Sequence, residues 1–148
     1  MIRREILALL RGAVATVWHG FVEEIVTIEP CESPLPESAE RVVGTLGFAA
    51  PGLRGTFTTV VPTGILAPFA EEMGPVSRGV AMADVAGEQA NMIVGRLKTG
   101  LMPLGLTMKC SVPGTSIARH LRIETRDPGD ESHWFSFQLR GERVLVCL

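Results

Sequence analysis

Residues 78–99, RGVAMADVAGEQANMIVGRLKT, run without a proline between Ser77 and Gly100, and no other stretch restricts the fold as much. An α-helix advances ~100° per residue. At that step Met82, Ala86, Ala90, Ile93 and Leu97 fall within a wedge of ~80°, which makes one apolar face. Asp84, Glu88, Asn91, Gly95 and Lys98 fall on the opposite side, in a stripe of similar width. The spacing predicts a single long helix, with the Ser77 hydroxyl as N-cap and Gly100 as its stop. The apolar face must be buried against another layer, which leaves the polar stripe outward.

That stripe is an expensive way to make a solvated surface. Asn91 is the only asparagine in the chain, and it stands mid-helix, where its side chain competes for backbone hydrogen bonds. Gly87 and Gly95 each give up roughly 1 kcal/mol relative to alanine. Gly95 also leaves a shallow place where another backbone can approach. Solvated helix faces are nevertheless common, and by spacing alone E-x-x-N fixes only two of four positions.

The rest of the chain supplies the layer to pack against. Ile6, Leu10, Val14, Val17 and Phe21 recur at steps of three and four, predicting an amphipathic helix over ~3–22. Residues 29–40 carry three prolines and four glutamates and read as a surface connector. Arg41–Phe48 and Leu53–Val61 flank Ala50-Pro51-Gly52, the signature of a β-hairpin. Its glycines (44, 47, 52 and 55) do not make a phosphate loop, because the G-K-[ST] ending is missing. Pro62 opens a short helix over ~63–73, which ends near Gly74-Pro75. The last third reads as about four strands. Leu121, Ile123 and Thr125 alternate with charged residues, Asp127-Pro128-Gly129-Asp130 is a turn, and Phe135, Phe137 and Leu139 alternate before Arg140-Gly141 turns into Val144–Leu148. Segregation of helices and strands in this order predicts one α+β domain over 1–148, with helices packed on a mainly antiparallel sheet.

Composition narrows the function classes. A net charge of −2 with no basic block argues against a nucleic-acid binder. Cys31, Cys110 and Cys147 are far apart and odd in number, so neither a zinc cage nor a disulfide framework is indicated, and free thiols fit a reducing cytoplasm. His19, His120 and His133 stand at no metal-ligand spacing. Ser111 and Ser116 lie in no G-x-S-x-G setting, and Trp18 and Trp134 read as packing residues. Glu5 and Arg11 interrupt the apolar N-terminal run, so neither a signal peptide nor a membrane span is expected there. The apolar final strand is expected to pair or to be covered, with a dimer interface as one option.

The wider string Asp84-x-x-Gly87-Glu88-x-x-Asn91-Met92-Ile93-x-Gly95 resembles the signature helix of the CheC/CheX phosphatases of bacterial chemotaxis. The resemblance extends over nearly the whole chain. It takes in the Gly-rich hairpin from Gly44-Thr-Leu-Gly47 through Gly55-Thr-Phe-Thr-Thr, the helix at Ile65–Met73, and the Leu106–Gly114 stretch with Ser111-Val112-Pro113-Gly114. Pro113-Gly114 stands where family members more often carry a longer β-branched run. A single E-x-x-N motif is more similar to CheX than to the two-motif CheC type.

The resemblance implies a CheX-like homodimer that hydrolyses the aspartyl phosphate of a CheY-type response regulator. In that scheme Asn91 holds the attacking water and Glu88 pairs with a lysine on the partner. Asp84 either adds a docking contact or only favours the N-terminal half of the helix through its dipole, and Gly95 and Lys98 stand on the same partner-facing stripe. The partner brings its own Mg²⁺, and the phosphatase needs no cofactor. The alternatives are a non-catalytic module that docks on a receiver domain or a flagellar-switch relative through the same helix, and a structural dimer with no phosphorylated partner.

Overall fold

The computed structural model describes residues 2–32, 39–75, 77–119 and 131–148. The N-terminal apolar period forms helix α1 (Ile2–Val22), with Ile6, Leu10, Val14 and Val17 buried and Phe21 half-buried. By length and composition Arg3–Val22 is apolar enough to cross a membrane, which corrects the expectation that nothing here is long enough. Its apolar side is nevertheless used within the fold. Trp18 is fully buried and meets the Phe137 ring edge-on, 5.4 Å between centroids.

The residues expected to form a connector do so only in part. Glu29–Cys31 is a short strand, β1, paired antiparallel with β6 (Trp134–Leu139). Its partners lie more than a hundred residues away, so no local pattern announces it. The predicted hairpin is formed by β2 (Arg41–Ala50) and β3 (Leu53–Pro62), in register from Arg41↔Pro62 to Ala50↔Leu53. Gly52 supplies the positive φ of 73° that the turn requires. Pro62 ends β3 and stands at the N-cap of α2 (Thr63–Glu72).

Helix α3 (Arg78–Leu101) is capped as expected, with Ser77 Oγ accepting from the Val80 amide at 3.3 Å. Gly100 does not stop it. The helix runs to Leu101 and tightens into a 3₁₀ turn over Met102–Leu104, and the chain leaves through Gly105 at φ 76°. Gly100 serves packing instead: a Cβ there would lie 2.9 Å from Leu9 Cδ2 of α1.

Strands β4 (Lys109–Cys110) and β5 (Gly114–Ala118) both pair with β2. A tight Arg140-Gly141 turn, with φ of 51° and 77°, joins β6 to β7 (Glu142–Cys147). The strand expected at 121–125 and the turn at 127–130 lie outside the described residues. The sheet order is β1-β6-β7-β3-β2-β4, with β5 also on β2, and every pairing is antiparallel. The final strand is therefore an inner one between β6 and β3, and it offers no edge to a second subunit.

The main core joins the three helices to Val42, Leu46, Phe48, Phe57, Val61, Phe137 and Val146 of the sheet. On the opposite sheet face Val60, Trp134, Leu145 and Cys147 form a smaller cluster with Cys31 packed against it. Burial there pushes the Cys147 thiol up to about 11. The architecture is α+β, with helices on an antiparallel sheet and one face of α3 exposed.

Candidate functional site

Helix α3 is seated on the sheet by a close approach. In β2, Gly44 lies under the helix, and a Cβ at that position would come within 3.3 Å of the Ala86 carbonyl oxygen and 3.1 Å of Thr59 Cγ2. The missing side chain lets the helix backbone rest almost directly on the strand. Met82, Ala86, Ala90, Ile93 and Leu97 are all buried, as the periodicity requires.

Asp84, Glu88, Asn91, Gly95 and Lys98 are all exposed. Glu88 and Asn91 are separated by three residues, which on a helix surface sets their Cβ atoms roughly 5–6 Å apart. Neither they nor Asp84 and Lys98 have a side-chain hydrogen bond or ion pair among the described residues. Each is free to serve a group from outside. Lys98 lies in the last turn, where its charge complements the helix dipole. Gly95 has nothing within 4 Å of where a Cβ would be, and its carbonyl accepts from Thr99 Oγ1 at 3.1 Å.

Gly87 departs from the expected pattern. It is buried, not part of the open stripe, because a second chain segment lies along that flank. A Cβ at Gly87 would be 3.4 Å from Thr115 Cγ2 and 3.8 Å from Pro113 Cβ, and one at Gly79 would be 3.5 Å from Ile117 Cδ1. Thus β5 and the loop before it form a wall beside the helix. Ser111 pins that loop: its amide donates to the Gly47 carbonyl at 2.8 Å, and the Gly47 amide donates to Ser111 Oγ at 2.9 Å. The Ser111 hydroxyl thus has a structural task.

Sequence reasoning missed Gln89, which follows Glu88 and is fully buried, with no hydrogen-bond partner for either amide atom. By helical step it lies on the border of the apolar face, ~60° from its centre, so only a polar residue at a core-edge position signalled it. Among the described residues no group of three or more His, Cys, Asp or Glu side chains is arranged to hold a metal.

The arrangement is a helix presenting a carboxylate and a carboxamide side by side on an open face, with no side-chain partner among the described residues. The family model described as chemotaxis phosphatase CheX matches residues 42–138. Among solved structures, the chemotaxis protein CheX of Vibrio vulnificus is similar at 18% identity and a TM-score of 0.80, with 97% of each chain covered. A CheC-like superfamily protein from Shewanella sp. PV-4 follows at 17% identity and 0.77, covering 97% of this chain and 95% of that one. The CheX–CheY–BeF3–Mg²⁺ complex of Borrelia burgdorferi matches at 16% identity and 0.72, covering 95% and 94%. No curated protein sequence matches. The Glu88–Asn91 helix falls inside the matched span, and the chain belongs to the CheX chemotaxis phosphatase family.

Proposed function

We propose that this chain hydrolyses the aspartyl phosphate of a CheY-type response regulator, with Asn91 orienting the water and Glu88 holding the partner. The observation that carries the reading is the pair itself: Glu88 and Asn91 stand exposed and unpartnered on one face of α3, in a member of the CheX family.

An acyl phosphate is already activated, so its hydrolysis depends mainly on a water placed in line with phosphorus and on neutralised charge. The Asn91 carboxamide both accepts and donates hydrogen bonds, so it can align that water. A carboxylate in its place would repel the phosphoryl group. Water oxygen bonds to phosphorus, the bond from phosphorus to the aspartyl oxygen breaks, and inorganic phosphate leaves while the regulator's carboxylate is regenerated. Glu88 pairs with a cation on the regulator, and Asp84, Gly95 and Lys98 line the docking surface. The Mg²⁺ that neutralises the phosphoryl oxygens comes with the regulator.

The test is phosphate release from a receiver domain charged with acetyl phosphate. Adding the chain accelerates release, and Glu88→Ala raises the concentration needed for half the effect. A chain that binds the charged receiver and leaves its phosphoryl lifetime unchanged would be the non-catalytic docking module instead.

A further inference from the structure

Two exposed large apolar residues accompany the turn of α3 that carries the Glu88–Asn91 pair: Met92, next to Asn91 in the chain, and Val112, in the loop that packs beside Gly87. Val112, 88% exposed, is among the most exposed large apolar residues described. It directly precedes Pro113, which packs on Gly87, and Gly87 is one residue from Glu88 and one turn from Asn91. Val112 therefore belongs to the loop that packs on the helix beside the pair. Its loop is fixed, not loose, because Ser111 exchanges two hydrogen bonds with Gly47 and its hydroxyl also donates to the Val112 carbonyl at 3.2 Å. Val80 continues the stripe one turn before Asp84 and is 52% exposed, and Met92, 42% exposed, stands beyond Glu88 on the other flank.

The result is a polar centre with apolar side chains on three sides. A fixed valine held out into water has no stabilising role in the free chain. Its contribution comes when a partner covers it. Apolar contacts around a polar centre exclude water and strengthen the charge interactions inside, which suits a site where Glu88 meets a cation of the partner.

We propose that Val112 is the principal apolar anchor for the phosphorylated receiver domain, with Val80 and Met92 completing the seal. Val112 sets affinity and partner choice and takes no part in orienting the water. This rests on the proposed function, and the experiment separates the two. Dephosphorylation of a CheY-type receiver charged with acetyl phosphate and Mg²⁺ is followed against phosphatase concentration, alongside equilibrium binding to the same receiver charged with beryllofluoride.

Val112→Ala raises both the half-saturating concentration and the dissociation constant about tenfold. Val112→Asp raises them further, Val112→Leu restores them, and the saturated rate changes less than about twofold in each. Ile25→Asp, at an equally exposed apolar residue after α1 (91% exposed), leaves both quantities at wild type. Equal affinity in Val112→Asp and wild type overturns the proposal. If wild type binds without hydrolysing, the catalytic reading fails and Val112 is judged on binding alone. If wild type binds no receiver, both fail.

Discussion

On its inner side α3 carries Met82, Ala86, Ala90, Ile93 and Leu97, buried against the sheet and the other two helices. On its outer side Asp84, Glu88, Asn91, Gly95 and Lys98 are exposed, and the four with side chains have no side-chain partner among the described residues. The inner face is determined by volume, because close-packed interiors register a change of one methylene. The outer face contributes little to stability and is free to be chosen for chemistry. The two faces of the helix, offset by ~180°, are thus under different constraints.

The contrast is sharpest if the inner face is damaged. Leu97→Ala should destabilise the fold by about 2–5 kcal/mol in chemical denaturation, whereas alanine at the outer-face side chains Asp84, Glu88, Asn91 or Lys98 should stay within about 0.5 kcal/mol. A small effect at Leu97 would mean that α3 is not the keystone of the core. Gly44→Ala probes the seat of the helix. Its new methyl meets a backbone carbonyl that cannot step aside, so a loss of about 1–3 kcal/mol is expected in the same measurement.

Gly95→Ala separates the two constraints in the opposite direction. The site is open, so alanine should raise stability by about 1 kcal/mol through helix propensity. It should also raise the phosphatase concentration that half-saturates dephosphorylation. A variant both more stable and equally active would show that no partner backbone comes close at that position. An effect confined to alkaline pH comes from the far face of the sheet. The Cys147 thiol ionises near 9.0 in an unfolded chain and about 11 when folded, because burial disfavours the thiolate. Above pH 9 the folded chain holds the proton more tightly, so stability is intact below pH 9 and declines as pH rises towards about 11. Cys147→Ala should remove that share of the slope in denaturation midpoints across this range.

What periodicity and capping could reveal, the residues revealed. Both faces of α3, the Ser77 cap, the Pro51-Gly52 hairpin and the apolar side of α1 are local patterns with local causes. What escaped was decided by distant partners. Glu29–Cys31 is a strand only because β6 lies beside it, Gly100 continues the helix because Leu9 needs its space, and Gly87 is covered because Pro113 and Thr115 reach it. Glycine at 87 and 100 advertised unusual positions in each case, but a helix stop, an open surface and a close contact all call for the same residue. The prominence of Val112 was hidden for the same reason: its loop is held by Gly47, a hydrogen bond across 64 residues.

The account turns on Asn91 acting on water and not on binding or folding. The direct measurement is single-turnover dephosphorylation of a charged receiver domain with Asn91→Ala at saturating phosphatase, with saturation checked by binding to the beryllofluoride form. The account predicts wild-type stability, near wild-type affinity and a rate lowered by about a hundredfold or more. A saturated rate equal to that of wild type would contradict it.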